Sequence, residues 1–384
     1  MSTNKNLKTE EYLKKQKETT DFINDNYDFK NIFQKTCSKY DIKEHPHVLP
    51  SVRRIIVIGD IHGDWEMTIK SLKLAELINN NGDWIGGDTV VVQVGDQVDR
   101  CRYSGVPCNE EKATDPDEGN DWKILKYFTN LHKKAQKQGG AVYSLIGNHE
   151  LMNVRGDFRY VSYEGLREFD NYEKPDGTII RDGNEARRWA FEPGNSISEF
   201  MACTRQMALI IGSNLFVHAG VLPNIAKKYS VQNLNQLMSL YLFDQLKKPS
   251  QYKDIFDSSD YSPLWNRVFG RLGLEKLKKH NGKYASLIKT LKEIYGREKL
   301  KKCFTLLNPL KDIYQVDKIF VGHTPLMDNG IGSVCDNRIW LTDYGASKAF
   351  DKFDKKIVSD ERGQNRKAQV LEILEDGKTI NILK

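Results

Sequence analysis

The sequence lacks a long apolar run. No hydrophobic stretch approaches the ~20 residues that a membrane-spanning helix needs, so we expect neither a membrane span nor a membrane partner. Residues 1–20 are polar throughout and lack the apolar core of a secretory signal peptide. These two absences predict a cytoplasmic protein.

Cysteine is sparse, and neither sign of charge is in large excess. The six cysteines are scattered through 384 residues without a Cys-x-x-Cys pair, which predicts free thiols in a reducing compartment. The net charge of +6 is too small to indicate a nucleic-acid partner. Hydrophobic residues make up 39 % of the chain, which is enough for a sizeable core and excludes a wholly disordered protein.

Composition divides the chain near residue 50. Residues 1–50 are rich in Lys, Glu, Asn and Thr, and we predict a polar, helical accessory segment, with partial disorder as the alternative. Residues 51–384 are expected to form one domain with a mostly helical insertion at about 225–312. The loop at 102–120 carries five acidic residues and is expected at the surface.

Short β-branched runs alternate with segments of helical spacing in the main domain. The helical spacing covers residues 65–78 and 121–138. Strands are predicted at 54–58, 89–94, 141–146, 207–211, 215–217, 318–321, 338–341, 368–374 and 379–383. Such alternation predicts a layered α/β fold.

Charged or imidazole side chains follow five of the apolar runs. They are Asp60 and His62; Asp96, Asp99 and Arg100; Asn148, His149 and Glu150; His218; and His323. In open α/β sheets ligands bind at the carboxyl ends of the strands. Asp, His and Asn offer oxygen and nitrogen donors, which suit Mn, Fe or Zn. A carboxylate such as Asp96 can bind one ion with each oxygen and so bridge two metals about 3.5–4 Å apart.

The motifs GDIHGD, GDQVDR and GNHE, with the later single histidines, resemble those of the calcineurin-like metallophosphoesterases of the phosphoprotein phosphatase type. IGNHELMNVRGDFRYV, FVHAGVLP, PLWNRVFGR, VGHTP and SVCDNRIWLTDYGAS resemble the Shewanella-like branch of protein phosphatases. The resemblance spans roughly residues 54–347. It implies two mixed β-sheets flanked by helices in an αββα sandwich.

The resemblance also implies a role for each residue. One metal would be held by Asp60, His62 and Asp96, and the other by Asp96, Asn148, His218 and His323. His149 matches the proton donor to the leaving group, and Asp99 the carboxylate that orients it. Arg100, with Asn148, would bind the phosphate, because a guanidinium fork fits two phosphate oxygens. A second phosphate-binding arginine is expected at Arg267, with Arg205, Arg155 and Arg159 as rivals.

Two positions depart from the family pattern. Cys101 follows Arg100 where the family has glycine, and Ala219 follows His218 where the family has glycine. If either glycine serves a left-handed turn, a side chain there costs roughly 1 kcal/mol or more. Neither change removes a ligand, so we expect altered loop shape rather than lost catalysis.

The function implied is metal-dependent hydrolysis of phosphomonoesters, in which two metals convert a bridging water to hydroxide. A phosphorylated protein or peptide, carrying phosphate on Ser, Thr or Tyr, is the expected substrate. A dinucleoside polyphosphate hydrolase on the same centre is one alternative, and a catalytically inactive binding module is another. A nuclease would need a basic stripe, for which Lys276–Lys279 and Lys299–Lys302 are the candidates; solvated helix faces explain both more simply.

Overall fold

A computed structural model describes residues 2–103, 105–272, 299–327, 330–351 and 366–384. The helices in these ranges are α1 (Ser2–Asn26), α2 (Phe29–Cys37), α3 (Trp65–Leu74), α4 (Asp121–Gln136), α5 (Asn148–Val154), α6 (Tyr163–Arg167), α7 (Gly183–Phe191), α8 (Ser196–Thr204), α9 (Pro223–Ala226), α10 (Val231–Leu242), α11 (Lys253–Phe256), α12 (Val268–Arg271) and α13 (Lys299–Tyr314). The strands are β1 (Val48–Leu49), β2 (Arg54–Ile58), β3 (Val90–Gln93), β4 (Ala141–Leu145), β5 (Tyr172–Glu173), β6 (Ile179–Ile180), β7 (Arg205–Gln206), β8 (Ala208–Ile211), β9 (Asn214–Val217), β10 (Lys318–Val321), β11 (Gly332–Val334), β12 (Ile339–Leu341), β13 (Val370–Leu374) and β14 (Thr379–Leu383).

The described strands form two six-stranded mixed sheets and a short hairpin of β5 and β6. The first sheet has the order β14-β13-β2-β3-β4-β7, with β2, β3, β4 and β7 parallel and β13 antiparallel to β2. The second has the order β1-β8-β9-β10-β12-β11, with β9, β10 and β12 parallel. In each sheet, parallel neighbours therefore bring their carboxyl ends to one edge.

Side-chain alternation along β2 shows how the layers pack. Ile55 and Val57 lie in an apolar cluster with Phe216 and Phe320 of the other sheet, so the two sheets face each other. Ile56 and its alternate neighbours on β2 point the other way, into a cluster with residues of α3 and α4. Helices α8 and α10 cover the second sheet from its outer side. The predicted αββα sandwich is confirmed.

Each predicted strand is present, with bounds that differ by two residues or fewer. The helix predicted at 65–78 ends earlier, at Leu74, because Glu76 adopts a left-handed φ of 56° and Ile78 pairs with Trp84 in an isolated bridge. Leu77 and Ile78 are buried for that reason rather than as part of a helical face. The helix predicted at 121–138 ends at Gln136.

The N-terminal segment is helical and packs on the main domain. Ile23 of α1 and Phe33 of α2 are buried in the same apolar cluster as the residues of α10. The side chain of Gln16 donates hydrogen bonds to the carbonyls of Ala226 and Tyr229. The domain boundary at residue 50 stays a prediction.

The predicted helical insertion is only partly described. Residues 223–272 contain α9 to α12, and Lys299–Lys302 opens α13, whose Pro309 lies inside the helix. Residues 273–298, including the basic run Lys276–Lys279, lie outside the described residues. In the part of the chain that is described, no helix is both long and apolar enough to cross a membrane.

The expectation of free thiols is wrong. The six cysteines form three disulfides, Cys37–Cys203, Cys101–Cys108 and Cys303–Cys335. Two of the pairs lie 166 and 32 residues apart in the chain, yet the fold brings their Cα atoms to 5.5 Å. Sequence spacing carries no sign of such pairs, and it is the fold that brings the partners together. The cysteines therefore no longer argue for a reducing compartment.

A buried histidine cluster should make the fold sensitive to acid. The ring of His132 is 2 % exposed and packs 4.7 Å from the ring of His45, and its Nδ1 accepts a hydrogen bond from the Val142 amide. Burial lowers the pKa of His132 to about 4, against about 6.5 for an unperturbed histidine. The unfolded chain therefore binds a proton below about pH 6.5 that the folded chain excludes.

We expect the free energy of unfolding to fall by about 1.4 kcal/mol per pH unit from this group between about pH 6.5 and pH 4. Urea unfolding of the wild type and of His132→Gln at several pH values in this range measures the effect. The variant removes the group, so its stability should fall less steeply on acidification. Parallel pH profiles for the two proteins would contradict the assignment.

Candidate metal centre

The predicted site residues follow strands of both sheets and lie close together at the ends of those strands. Asp60 and His62 follow β2, Asp96 follows β3, and Asn148 opens α5 directly after β4. His218 follows β9 and His323 follows β10, which are parallel neighbours in the second sheet. The amide of His323 donates to Asp60 Oδ2 at 3.0 Å and thus joins the two sheets at the centre.

Several of these residues have a strained backbone. His62, Asp96, Asp99 and His323 have positive φ values of 47°, 52°, 73° and 67°. Such a conformation in a residue other than glycine costs on the order of 1–3 kcal/mol and persists where the surroundings enforce it. The strain places these side chains at the strand ends, which is typical of a functional site.

The side chains form two groups that share Asp96. Ligand atoms of His62, Asp96 and His149 lie within 4.8 Å of one another, and so do those of Asp96, His218 and His323. His218 Nε2 lies 3.3 Å and His62 Nε2 3.8 Å from Asp96 Oδ2. A carboxylate between two groups of imidazoles is the arrangement that a pair of metal ions requires.

Asn148 and Asp60 complete the two groups. The amide oxygen of Asn148 lies 2.9 Å from His218 Nε2 and 2.7 Å from His323 Nδ1. Asp60 Oδ2 lies 3.9 Å from His62 Nε2. The other oxygen of Asp60 is buried and has no hydrogen-bond partner among the described residues. A metal ion would satisfy this oxygen, so the residues present fit a metal centre.

Hydrogen bonds to the backbone select the tautomer of each histidine. His62 Nδ1 lies 3.2 Å from the carbonyl of Val98, and His218 Nδ1 lies 2.9 Å from that of Val94. His323 Nε2 lies 3.0 Å from the carbonyl of Trp265. In each ring the nitrogen facing a carbonyl carries the proton, so the other nitrogen offers its lone pair to the centre.

Burial disfavours negative charge on the carboxyl groups of the centre. It raises the pKa of Asp60 well above its usual value, with Asp343 and Asp96 adding to the effect. Burial also raises the pKa of Asp343. Although burial opposes ionisation of Asp96, the neighbouring His218 and His149 hold its pKa well below the usual range. A divalent cation would neutralise this charge.

Two of the histidines resist protonation. Burial, reinforced by Arg102, holds the pKa of His62 well below 6.5. Burial, reinforced by Arg267, does the same for His323. Both rings are therefore neutral at physiological pH, as metal ligands must be.

His149 stands beside the centre with a dedicated partner. Its Nδ1 lies 2.6 Å from Asp99 Oδ2, and its Nε2 lies 3.9 Å from Asp96 Oδ2. The other Asp99 oxygen accepts a 2.8 Å hydrogen bond from Asn153, whose own carbonyl oxygen accepts from Arg187. This series of hydrogen bonds fixes the ring so that its Nε2 faces Asp96, which is a geometry that suits a proton donor.

Sequence reasoning assigned no role to two carboxylates that shape the centre. Glu150 accepts hydrogen bonds from the backbone amides of Gly147, Asp96, Gln97 and Val98 and so fixes the loop after β3 against the start of α5. Asp343 is buried and interacts electrostatically with Asp60; it follows the apolar run 339–341 after one residue, the kind of signal that revealed the other site residues.

Glycine is required at one position of the site. A Cβ on Gly147 would lie 2.1 Å from Asp96 Oδ1. The absence of a side chain lets β4 end in contact with the shared carboxylate.

The arginines are placed differently from the prediction. Arg100 is 1 % exposed; its guanidinium donates to Ser347 Oγ and to the carbonyl of Pro116, both at 3.2 Å, and lies 3.6 Å from Asp64 and from Glu118. None of these partners is a predicted ligand. The phosphate-binding role predicted for Arg100 therefore gains no support from its contacts.

Arg267 lies at the edge of the centre, where its NH1 donates to the carbonyl of His323 at 2.7 Å. Arg205 is buried among Gln97 and the residues of α4 and α8, which makes it structural. Arg159 is exposed and paired with Asp157, and Arg155 is exposed at the end of α5. Arg267 is thus the member of this set that the structure brings to the site.

Comparison with known proteins identifies a family and several relatives of this chain. Residues 53–327 match the calcineurin-like phosphoesterase family. The chain is 36 % identical over 270 residues to the uncharacterized protein R398 of Acanthamoeba polyphaga mimivirus, covering 65 % of this chain and 95 % of that protein. It is 28 % identical over 325 residues to Shewanella-like protein phosphatase 2 of Arabidopsis thaliana, covering 77 % of this chain and 72 % of that protein.

The fold has a solved counterpart. The crystal structure of the cold-active protein-tyrosine phosphatase of a psychrophilic Shewanella species superposes with a TM-score of 0.57 and 18 % identity, over 89 % of this chain and 83 % of that one. At this identity the likeness establishes the fold alone.

Proposed function

The chain belongs to the calcineurin-like phosphoesterase family and is a phosphoric monoester hydrolase, and on this premise we propose that it is a protein phosphatase with a two-metal centre bridged by Asp96. The observation that carries the proposal is that Asp96 belongs to both groups of metal-binding side chains, next to the paired His149 and Asp99.

In this proposal one ion binds to Asp60, His62 and Asp96. The other binds to Asp96, Asn148, His218 and His323. When bound, the ions supply Lewis acidity and an activated water nucleophile. The nitrogen and oxygen donors of the set suit Mn, Fe or Zn.

His149 is the general acid of the proposed reaction. Its Nε2 donates a proton to the oxygen that leaves phosphorus, which a serine, threonine or tyrosine side chain supplies in a phosphoprotein. Asp99 accepts a hydrogen bond from the Nδ1–H of the ring and orients it, and Asn153 and Arg187 hold Asp99 in place. The proton thus starts on a ring whose orientation is fixed before substrate binds.

A protein substrate is supported by the names of the relatives, which include Shewanella-like protein phosphatases of Arabidopsis thaliana and Plasmodium berghei. The acidic loop offers a surface for choosing among phosphoproteins. Asp117 and Glu118 are held by hydrogen bonds within the domain, whereas Glu110, Glu111 and Asp115 are exposed. Charge complementarity favours substrates with basic residues near the phosphate.

A substrate panel tests this proposal. We expect kcat/KM for phosphoserine, phosphothreonine or phosphotyrosine peptides to exceed that for diadenosine tetraphosphate and for a cyclic nucleotide. Peptides with basic flanks should be preferred over acidic ones, and a Glu110→Lys, Glu111→Lys double variant should reduce that preference at low salt. If either nucleotide exceeds every peptide tenfold or more, the chain is a small-molecule phosphohydrolase.

The cytoplasmic location expected from the sequence stays a prediction. It rested on the absence of a long apolar run and of a signal peptide, whereas disulfides persist mainly in oxidising compartments. Alkylation of thiols in freshly lysed cells, before and after reduction, would tell which state the cysteines adopt where the protein resides.

A further inference from the structure

We propose that the buried ion pair of Arg187 and Asp121 positions the general acid of the reaction. The pair does so by fixing Asp99, the residue that orients the ring of His149. The inference rests on the proposed phosphatase function and deepens it, because it assigns positioning residues for the proton transfer. Arg187 lies on α7 and Asp121 begins α4, so neither belongs to the motifs that carry the other site residues.

The ion pair is enclosed by the fold. Arg187 is 0 % and Asp121 2 % exposed, and the NH2 of the guanidinium lies 2.7 Å from Asp121 Oδ2. A buried ion pair is a poor source of stability, because well-packed apolar residues of similar volume often stabilise a fold as much or more. The desolvation cost of this pair therefore points to a function in the groups that it holds in place.

Arg187 fixes the side-chain amide of Asn153. Its Nε donates to Asn153 Oδ1 at 2.8 Å, and because a guanidinium has no acceptor, it must face the oxygen of the amide. The amide nitrogen is thereby turned toward the acid, and it donates to Asp99 Oδ1 at 2.8 Å and to the carbonyl of His149 at 2.9 Å. With the amide reversed, its oxygen would face the Asp99 carboxylate, and two acceptors would oppose each other.

Asp121 fixes the backbone of Asp99. Its Oδ2 accepts a hydrogen bond from the Asp99 amide at 3.2 Å. Asp99 has a positive φ of 73°, a conformation that a residue other than glycine keeps only where its surroundings enforce it. The same oxygen of Asp121 accepts from Arg187, so one carboxylate links the arginine to the strained residue.

The pair also sets the electrostatic surroundings of Asp99. The NH2 of Arg187 lies 3.7 Å from Asp99 Oδ1 as well as beside Asp121, so one cation faces two buried carboxylates. Burial raises the pKa of Asp121, and Arg187 opposes that rise. Without the guanidinium the two neighbouring carboxylates would repel each other, and Asp99 would lose its fixed position.

Arg187 is itself confined on its remaining sides. Its NH1 donates to the carbonyl of Gly165 at 2.9 Å. Its guanidinium carbon lies 4.9 Å from the ring centre of Phe191 and 5.3 Å from that of Phe169. A side chain confined in this way can hold its partners to the precision of about 0.5 Å that a catalytic group requires.

The experiment compares kcat and KM of the manganese-loaded protein for phenyl phosphate and p-nitrophenyl phosphate. We expect Arg187→Gln to lower kcat for phenyl phosphate by about 10- to 100-fold, the range for loss of a group that orients a site residue. The loss should be smaller for p-nitrophenyl phosphate, whose leaving group needs little protonation. KM should change less than kcat for both substrates.

Combined variants separate positioning from a general structural role. In a His149→Asn background the acid is already absent, so adding Arg187→Gln should not lower kcat further. Asp121→Asn should reproduce the dependence on the leaving group, and its combination with Arg187→Gln should cost no more than Arg187→Gln alone. Arg187→Lys keeps the charge and loses the fork, so it should recover part of kcat.

Arg54→Gln is the matched control. Arg54 donates to Glu372 at 2.7 Å and to the carbonyl of Ala75 at 3.1 Å, at the opposite end of β2 from Asp60. The control should keep wild-type kcat for both substrates. Metal content and thermal unfolding are measured for every variant, and Asp121→Asn, which preserves the shape of the side chain, serves if Arg187→Gln fails to fold.

The outcomes distinguish this inference from the function on which it rests. If Arg187→Gln leaves kcat unchanged, lowers it equally for both substrates, or lowers it as much in the His149→Asn background as in the wild type, the inference is overturned. If His149→Asn shows no dependence on the leaving group, the general-acid assignment fails and the inference fails with it. If the expected dependence is found while no phosphopeptide is hydrolysed, the inference stands and the protein-phosphatase proposal fails.

Discussion

Replacing Asp96 by asparagine should lower kcat/KM by at least about 10³-fold while leaving the fold intact. The Oδ2 of this carboxylate lies near histidines of both groups, so the change weakens both metal sites together. Metal assistance of this kind supplies several kcal/mol of transition-state stabilisation, and each 1.36 kcal/mol corresponds to about tenfold in rate. Hydrolysis of a chromogenic phosphomonoester and metal content by mass spectrometry measure the two effects.

Asp88→Asn is the matched control. Asp88 is an exposed aspartate paired with Arg53, and the control should retain wild-type turnover and metal content. Wild-type activity in Asp96→Asn would contradict the bridging role. A wild-type protein that is fully active with fewer than two ions per chain would contradict the two-metal centre itself.

Replacing His149 by asparagine should lower kcat by about 10²- to 10⁴-fold without reducing metal content. The ring belongs to the group that contains His62 and Asp96, but its Nδ1 is engaged by Asp99 and we assign its Nε2 to proton transfer, so its loss should remove a proton donor rather than a metal ligand. The loss should be smaller for p-nitrophenyl phosphate, whose leaving group needs little protonation, than for phenyl phosphate or a phosphoserine peptide.

Two further variants sharpen the test of His149. Asp99→Asn should reproduce the dependence on the leaving group, because the ring loses the carboxylate that orients it and stabilises its charge. His47→Asn changes a histidine that contacts Asn235 and Glu44 away from the centre and should have no effect. An equal loss for good and poor leaving groups would exclude His149 as the general acid, and a loss of metal would make it a ligand.

The different positions of the Arg100 and Arg102 side chains show where sequence motifs stop being informative. The motif GDQVDR carries Arg100 at a familiar position, but four polar contacts direct its guanidinium into the surrounding loops. Two residues later, Arg102 reaches His62. An arginine side chain has several rotatable bonds, so its charged end can lie many ångströms from its Cα. Its neighbours in space decide where it lies.

The disulfide pairs also could not be predicted from sequence motifs, and here the partners lie much farther apart in the chain. Cys37 and Cys203 belong to α2 and the C-terminal part of α8, and only the packing of these helices brings them together. Pairing across 166 residues leaves no trace in spacing. The disulfide between Cys101 and Cys108 could not be predicted either, because a separation of seven residues matches no common disulfide or metal-binding motif.

The layered fold and the set of side chains at the centre are predictable from the sequence. Each strand is a short β-branched run whose side chains alternate between two apolar layers, and this pattern is local, so it can be recognised one segment at a time. Asp60, Asp96 and Asn148 each follow such a run, and parallel neighbours in a sheet must bring their carboxyl ends to one edge. Fold class and candidate ligands therefore followed from the chain.

The remaining features were set by the tertiary structure. It paired the cysteines, ended α3 at Leu74, buried Asp343 within electrostatic reach of Asp60 and directed Arg102 instead of Arg100 toward the histidines. Each of these outcomes depends on contacts between residues far apart in the chain, or on the direction of a long side chain. The free energy of such contacts is a property of the packed assembly, and no single segment of the sequence contains it.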